Sequence, residues 1–307
     1  MERKKSVRYG ATIFFIVVIW LGVGSLIVKT TSYTVAVVAG TTYEEKAHEF
    51  NRAKIFDHYQ DERQIFHELA TGQVEVAITD RLAGLSLIRD SGYRNLKLAG
   101  NVLEREVGVV AFNREDKTLR QAVNRGLKEI IDSGVYAGIS TKYFGCDILK
   151  GVEYNPTYPD EPPATDDSWS RVKQAGRIVF TMNSDFPPFA YFNDQSEFTG
   201  FDVEVAQAVC ERLGLRYTPV IIEWDQTFEG LKVKNYDGVW GRLLMKDKPV
   251  QVDYSNPYYL TGAQLFVRKG SPITGLETLE GNLRVPLSFP LNFKSYFSVY
   301  FGYKKEL

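Results

Sequence analysis

The 307-residue sequence is poor in the side chains that most often carry chemistry, with two cysteines, three histidines and four tryptophans. Cys146 and Cys210 have neither metal-ligand spacing nor the number needed for a framework of bridges, and each reads as a small buried apolar residue. His48, His58 and His67 lie among charged and polar neighbours without a ligand-like repeat, so they read as surface residues and no metal is expected. There is no G-x-S-x-G, no H-E-x-x-H, no P-loop and no pair of carboxylates singled out by spacing. Neither a catalytic residue nor a cofactor is therefore expected. An excess of one charge is also missing: 37 basic residues against 38 acidic ones give −1, which removes the electrostatic reason for a nucleic-acid partner.

One long apolar run is present. MERKKSVR carries four basic residues and one acid, and ATIFFIVVIWLGVGSLIV then runs from 11 to 28 without a charge. Such a run suffices marginally for a membrane span, with the basic flank inside. A signal peptide has the same outline, with small residues at Val23-Gly24-Ser25, and no cysteine follows for a lipoprotein anchor. Residues 1–32 are thus read as an anchor or signal-like segment; a buried hinge strand is the alternative.

From residue 33 the pattern alternates. YTVAVVAG (33–40), VEVAITD (74–80) and VGVVAF (107–112) read as strands, and IFHELATG (65–72) as a short helix stopped by Gly72. TLRQAVNRGLKEIIDSG follows as an amphipathic helix, with Thr118 and Gln121 in capping-box positions and Gly134 at its end. GVEYNPTYPDEPPATDDS, with four prolines and five acids, has no apolar period and reads as a linker. A second alternating run begins with RIVFTMN (177–183), continues with a helix carrying Phe201, Val205, Val209 and Leu213 at spacings of four, and reaches the strand YTPVIIEW (217–224). This alternation predicts an α/β fold.

Particular segments resemble the family-3 extracellular solute-binding proteins, the type II periplasmic amino-acid receptors of ABC importers. VFTMNSDFPPFAYF and GFDVEVAQAV match the opening strand, aromatic-proline loop and G-F-D helix start of that family's first half. EWDQTFEGL, NYDGVWG and DYSNPYYLTG match its continuation, while AGTTYEE and KYFG match the start and end of its second half. The resemblance covers roughly 33–148 and 169–285 and implies a two-lobed periplasmic-binding-protein-like type II fold, a Venus flytrap.

The order of the halves is reversed relative to the family. Residues 1–29 can also be laid beside MKDKPVQVDYSNPYYLTGAQLFVRK (245–269) with small gaps, as in a window cut from a tandem of two such domains. The expected organisation is one lobe from 33–107, and another from 108–148 and 169–270, joined by a linker over 149–168. The result is a pseudo-permuted or incomplete flytrap, in which strands 107–112 and 177–183 share a sheet. After LETLEGNLRV the aromatic-rich tail, within 271–307, is expected to leave the family pattern as a truncated or atypical segment.

The resemblance also implies site residues. Phe186, Phe189 and Trp224 fall where the family places aromatic walls, although core packing explains such residues equally well. Asp80 falls at the ammonium-binding acid, a position also suited to a helix N-cap. Thr41 and Thr42 follow Gly40 in a loop able to present amides and hydroxyls to a carboxylate, or simply to cap a helix. LLMKDK aligns with the family's T-x-T-x-x-R loop, so Leu243 stands at a hydroxyl position and Lys248 at the arginine, with Gly241 and Arg242 beside them. Lysine keeps the charge but loses the bidentate fork. The implied function is an extracytoplasmic, non-enzymatic receptor for a small polar or amino-acid-like ligand, working with an ABC permease and held to the membrane by 11–28. The alternatives are a ligand-input fragment of a tandem-flytrap membrane receptor, coupled to an output domain, and a dehydratase or lyase of the same fold.

Overall fold

The computed structural model describes residues 32–150, 162–223, 226–241 and 252–280. The apolar run 11–28 and the tail from 281 lie outside these residues; among the described residues no helix is long and apolar enough to cross a membrane.

Two five-stranded mixed sheets form the two lobes. In the first, the order is Ala53–Tyr59, Tyr33–Val38, Val76–Asp80, Ala263–Arg268 and Leu96–Ala99. Its first three strands are parallel, and Ala263–Arg268 runs antiparallel to both of its neighbours. Strand side chains alternate between the faces, so each face can have its own core. Val35, Val37, Val76, Ile78, Leu265 and Val267 join one cluster with Ala47, Phe50 and Leu279. Ala36, Ala77 and Phe266 join the opposite cluster with Ile65, Phe66 and Leu69 of the helix Glu62–Thr71. Asp61 caps that helix by accepting from Arg63 N, and Gly72 ends it at φ 91°.

The second sheet has the order Arg216–Ile221, Arg177–Met182, Gly238–Val239, Ala111–Asn113 and Val252–Tyr254. Ala111–Asn113 and Arg177–Met182, from opposite sides of the linker, lie in this one sheet with Gly238–Val239 between them. Ile178, Phe180 and Met182 face helices Lys117–Asp132, Val135–Phe144 and Phe201–Arg212, while Val179 faces away with Ala111 and Val239. Segment 107–112 is not the single strand its composition suggests. Glu106–Gly108 pairs with Tyr259–Thr261 in a separate two-stranded ribbon, and the chain enters the second sheet only at Ala111. The break is held by Ser255, whose hydroxyl accepts from Val110 N at 2.9 Å and whose amide donates to Val110 O at 2.8 Å.

The start of helix Lys117–Asp132 corrects the expected capping box. Its N-cap, Asp116, makes no side-chain cap bond. Instead Asp166, from the end of the linker, accepts from Thr118 N at 3.0 Å and from Thr118 Oγ1 at 2.8 Å, while Ser168 Oγ accepts from Leu119 N at 3.1 Å. Gln121 turns to the linker too, donating to Pro162 O at 2.7 Å. The orphan amides of a helix start can be satisfied from anywhere in the chain, and here a carboxylate also meets the positive end of the dipole.

Burial opposes the charge on Asp166, but bonds from Ser168 and Thr118 outweigh it and hold the carboxyl down at about 2. A carboxyl whose folded pKa lies below its unfolded value, about 3.9, stabilises the fold above pH ~4 and loses that effect as pH falls through the folded value. Asp166→Asn, which keeps an acceptor but loses the charge, should therefore cost about 1 kcal/mol at pH 7 after allowing for solvent screening. Urea unfolding of both proteins should show this gap narrowing between pH 4 and 2. A gap that does not change with pH would exclude the charged clip.

Candidate ligand-binding site at the hinge

Ligands of open α/β sheets sit beyond the carboxyl ends of the parallel strands. In the first sheet that end is marked by Asp80, the last residue of Val76–Asp80, which pairs with Ala263 at the start of the antiparallel strand. In the second it is marked by Val239, which pairs with Ala111, itself opposite Tyr254. The two crossings between lobes run through 99–111 and 254–263, and their middles pair as the ribbon Glu106–Gly108 with Tyr259–Thr261. Both crossings thus enter both sheets at the carboxyl ends. At the hinge, Asp80 and Arg81 of one lobe bond to 260–262, while Phe189 and Trp240 of the other pack on Tyr259 and Tyr258; the loops 39–42 and 183–186 also follow parallel strands at their carboxyl ends.

Asp80 is buried at 5% exposure, and both its oxygens have partners. Oδ1 accepts from Leu82 N at 2.9 Å and Ala83 N at 3.0 Å, capping the helix Arg81–Ser91. Oδ2 accepts from Thr261 Oγ1 of the hinge ribbon at 2.6 Å. A carboxylate offers about four lone-pair directions, so Oδ2 retains capacity for another donor. The acid is thus a cap, a latch on the hinge and an available acceptor.

Its neighbour Arg81 escaped the sequence reading. The side chain is buried at 3% exposure and donates from Nη1 to Leu260 O and from Nη2 to Ile148 O, both at 3.0 Å. Burial, partly offset by nearby acidic groups, lowers its pKa. It ties a helix of one lobe to the hinge strand and to the segment that follows helix Val135–Phe144. The only sequence signal was an arginine directly after a strand-ending acid.

The loop after Tyr33–Val38 is engaged within itself. Thr41 Oγ1 donates to Val38 O at 2.8 Å and makes no side-chain cap bond to the helix Thr42–Ala47. Gly40 N donates to Glu44 Oε2 at 2.6 Å, so a carboxylate from the chain itself rests on an amide of the loop expected to receive one. Thr42 opens the helix.

On the other lobe, Phe186 is 41% exposed, as a wall residue could be. Phe189 is not: it is 4% exposed, with its ring against Phe144, Phe201 and Tyr259, which is core packing. Gly241 follows Gly238–Val239 at φ +130°, beside Met182. Trp224, Arg242, Leu243 and Lys248 lie outside the described residues. Trp240, just before Gly241, is fully buried, edge-on to Phe180 and near Tyr258. Beneath the hinge, Tyr258 OH donates to the buried Asp202 at 2.7 Å and Tyr136 OH donates to Tyr258 O. The aspartate of the G-F-D motif thus serves as an acceptor for the hinge.

Comparison with known proteins agrees with the motifs. Residues 178–305 match the model for bacterial extracellular solute-binding proteins, family 3. The matched residues extend into the tail, as far as 305. The L-cystine-binding protein TcyJ of Escherichia coli K12 is 31% identical over 103 residues, which are 33% of this chain and 39% of that protein. The lysine/arginine/ornithine-binding periplasmic protein of the same strain is 30% identical over 116 residues, 37% of this chain and 44% of that one. The chain therefore spans less than half the length of these relatives. Among solved structures, the probable amino-acid ABC transporter extracellular-binding protein ytmK of Bacillus subtilis aligns over 78% of this chain and 85% of its own, at 7% identity and a TM-score of 0.37. Over residues 178–305 the chain is similar to the bacterial extracellular solute-binding proteins of family 3.

Proposed function

We propose that the chain binds a small polar, amino-acid-like solute at the hinge, as the extracytoplasmic receptor of an ABC importer, and catalyses no reaction on it. The observation that supports this most is the convergence of the carboxyl ends of both sets of parallel strands on one hinge. In this reading 33–107 forms one lobe together with the strand Ala263–Arg268, which the sequence reading had given to the other; 108–148 with 169–262 forms the second lobe, and 149–168 links them as a pseudo-permuted flytrap.

An amino acid brings two opposite charges, and a water-poor site must meet both. Asp80 takes the ammonium with the unused capacity of Oδ2, and the exposed ring of Phe186 covers the side chain. The carboxylate goes to the 40–42 loop, where it displaces Glu44 from Gly40 N, with Lys248 or Arg242 supplying positive charge. Two relatives are named for binding cystine and for binding lysine, arginine and ornithine, so polar amino acids are the first ligands to test.

Isothermal titration of the purified chain with L-arginine, L-lysine and L-cystine should give saturable binding, with L-leucine as the negative control. Asp80→Asn keeps an oxygen for the helix cap but removes the charge, and should weaken binding at least tenfold while unfolding within about 1 kcal/mol of the parent. If no polar amino acid binds the parent chain, the receptor reading fails. Unchanged affinity in Asp80→Asn would leave the receptor reading standing and remove Asp80 from it.

A further inference from the structure

Glu44, His48 and Asp57 are unremarkable in sequence, but the fold brings one ligand atom from each to within 4.8 Å of the others. Glu44 and His48 are four residues apart, on the helix Thr42–Ala47 and its C-cap, and so stand on one face. Asp57 comes from Ala53–Tyr59, the parallel neighbour of the strand that leads into this helix. His48 Nε2 already lies 3.6 Å from Asp57 Oδ2, and both side chains are accessible, at 55% and 45% exposure. We propose that these three residues form a surface site for a borderline divalent transition-metal cation, with zinc as its representative.

The donor set decides the class of ion. One imidazole and two carboxylates suit zinc, cobalt or nickel, whereas magnesium and calcium favour oxygen-only sets, and soft cuprous ions favour sulfur. Zinc bonds of about 2.0–2.2 Å place tetrahedral ligand atoms roughly 3.3–3.6 Å apart. The His48–Asp57 pair is at that separation, and the widest spacing in the group needs to close by only about an ångström, within reach of side-chain rotation. Glu44 is oriented from behind, since its Oε2 accepts from Gly40 N at 2.6 Å, the kind of outer hydrogen bond that holds a ligating carboxylate in place. Three protein ligands leave the fourth position for water or for an external donor, so the site is exchangeable rather than structural. Glu44 rests on Gly40 N, the amide that the proposed function gives to the ligand carboxylate, so the two readings share this side chain; zinc titration of the ligand-free chain tests the metal site alone.

Zinc chloride titrated calorimetrically into the full chain at pH 7 should show one site per chain, with no comparable heat from magnesium. Cobalt should give visible absorption bands of a low-coordinate complex. His48→Ala should weaken zinc binding at least tenfold and abolish the cobalt bands, and Asp57→Asn should weaken zinc binding by about tenfold. All three side chains are at or near the surface, so circular dichroism of the variants should match the parent. Absence of zinc binding in the parent, or affinity unchanged in His48→Ala, overturns the site.

Discussion

Gly262→Ala is expected to lower stability by about 3–5 kcal/mol, read as a fall in the urea midpoint at constant slope. Gly262 links the hinge ribbon to the strand that enters the first sheet, at φ +119°, a conformation that L side chains rarely adopt. A Cβ there would lie 1.6 Å from Glu104 O and 3.1 Å from Val102 Cγ1. The backbone cannot easily yield, because Gly262 O accepts from Arg81 N at 2.9 Å and Ala263 O accepts from Leu103 N at 2.8 Å. Gly270→Ala is the matched control: φ is +87°, but nothing lies within 4 Å of its Cβ position. It should cost only the conformational strain, about 1 kcal/mol. Equal losses in the two variants would show that close packing at the hinge contributes nothing.

Phe201→Ala should cost a comparable amount, about 3–5 kcal/mol, through the cavity it leaves. Phe201 is fully buried at the first position of helix Phe201–Arg212, with its amide on Pro188 O at 2.8 Å. Its ring lies 5.7 Å from that of Tyr136 and 5.0 Å from that of Phe144, both before the linker. It also meets Phe189 at 6.2 Å, Tyr258 at 6.4 Å and Tyr259 at 6.3 Å, all after it. Truncation therefore removes packing from both sides of the linker at once. If the segments on either side form one lobe, near-ultraviolet and far-ultraviolet signals should shift together in a single transition. Two separated transitions in the variant would speak against a shared lobe. Phe201→Leu, which refills most of the volume, should cost about 1–2 kcal/mol.

Sequence alone determined the short-range structure. The β-rich run before Gly40 and the amphipathic helix stopped by Gly72 depend on residues a few positions apart, and both are present. Phe201, Val205 and Val209 form the buried stripe that their spacing of four requires. Helix periodicity and glycine at a helix end act within a turn or two, so one chain segment contains all the information. Only the tertiary structure decided which distant groups meet. Asp80 and Thr261 are 181 residues apart, and Thr118 finds its cap 48 residues downstream in Asp166. The strand Ala263–Arg268 occupies the slot between Val76–Asp80 and Leu96–Ala99, which no pattern in 33–107 marks as open. Phe189 and Phe186 share one aromatic-proline loop, yet one ring is buried and the other exposed. Asp57 reaches Glu44 and His48 only because two parallel strands lie side by side. Strand order follows from the burial of whole faces and the pairing of backbone edges, and a polar side chain takes whichever partner that packing brings within reach.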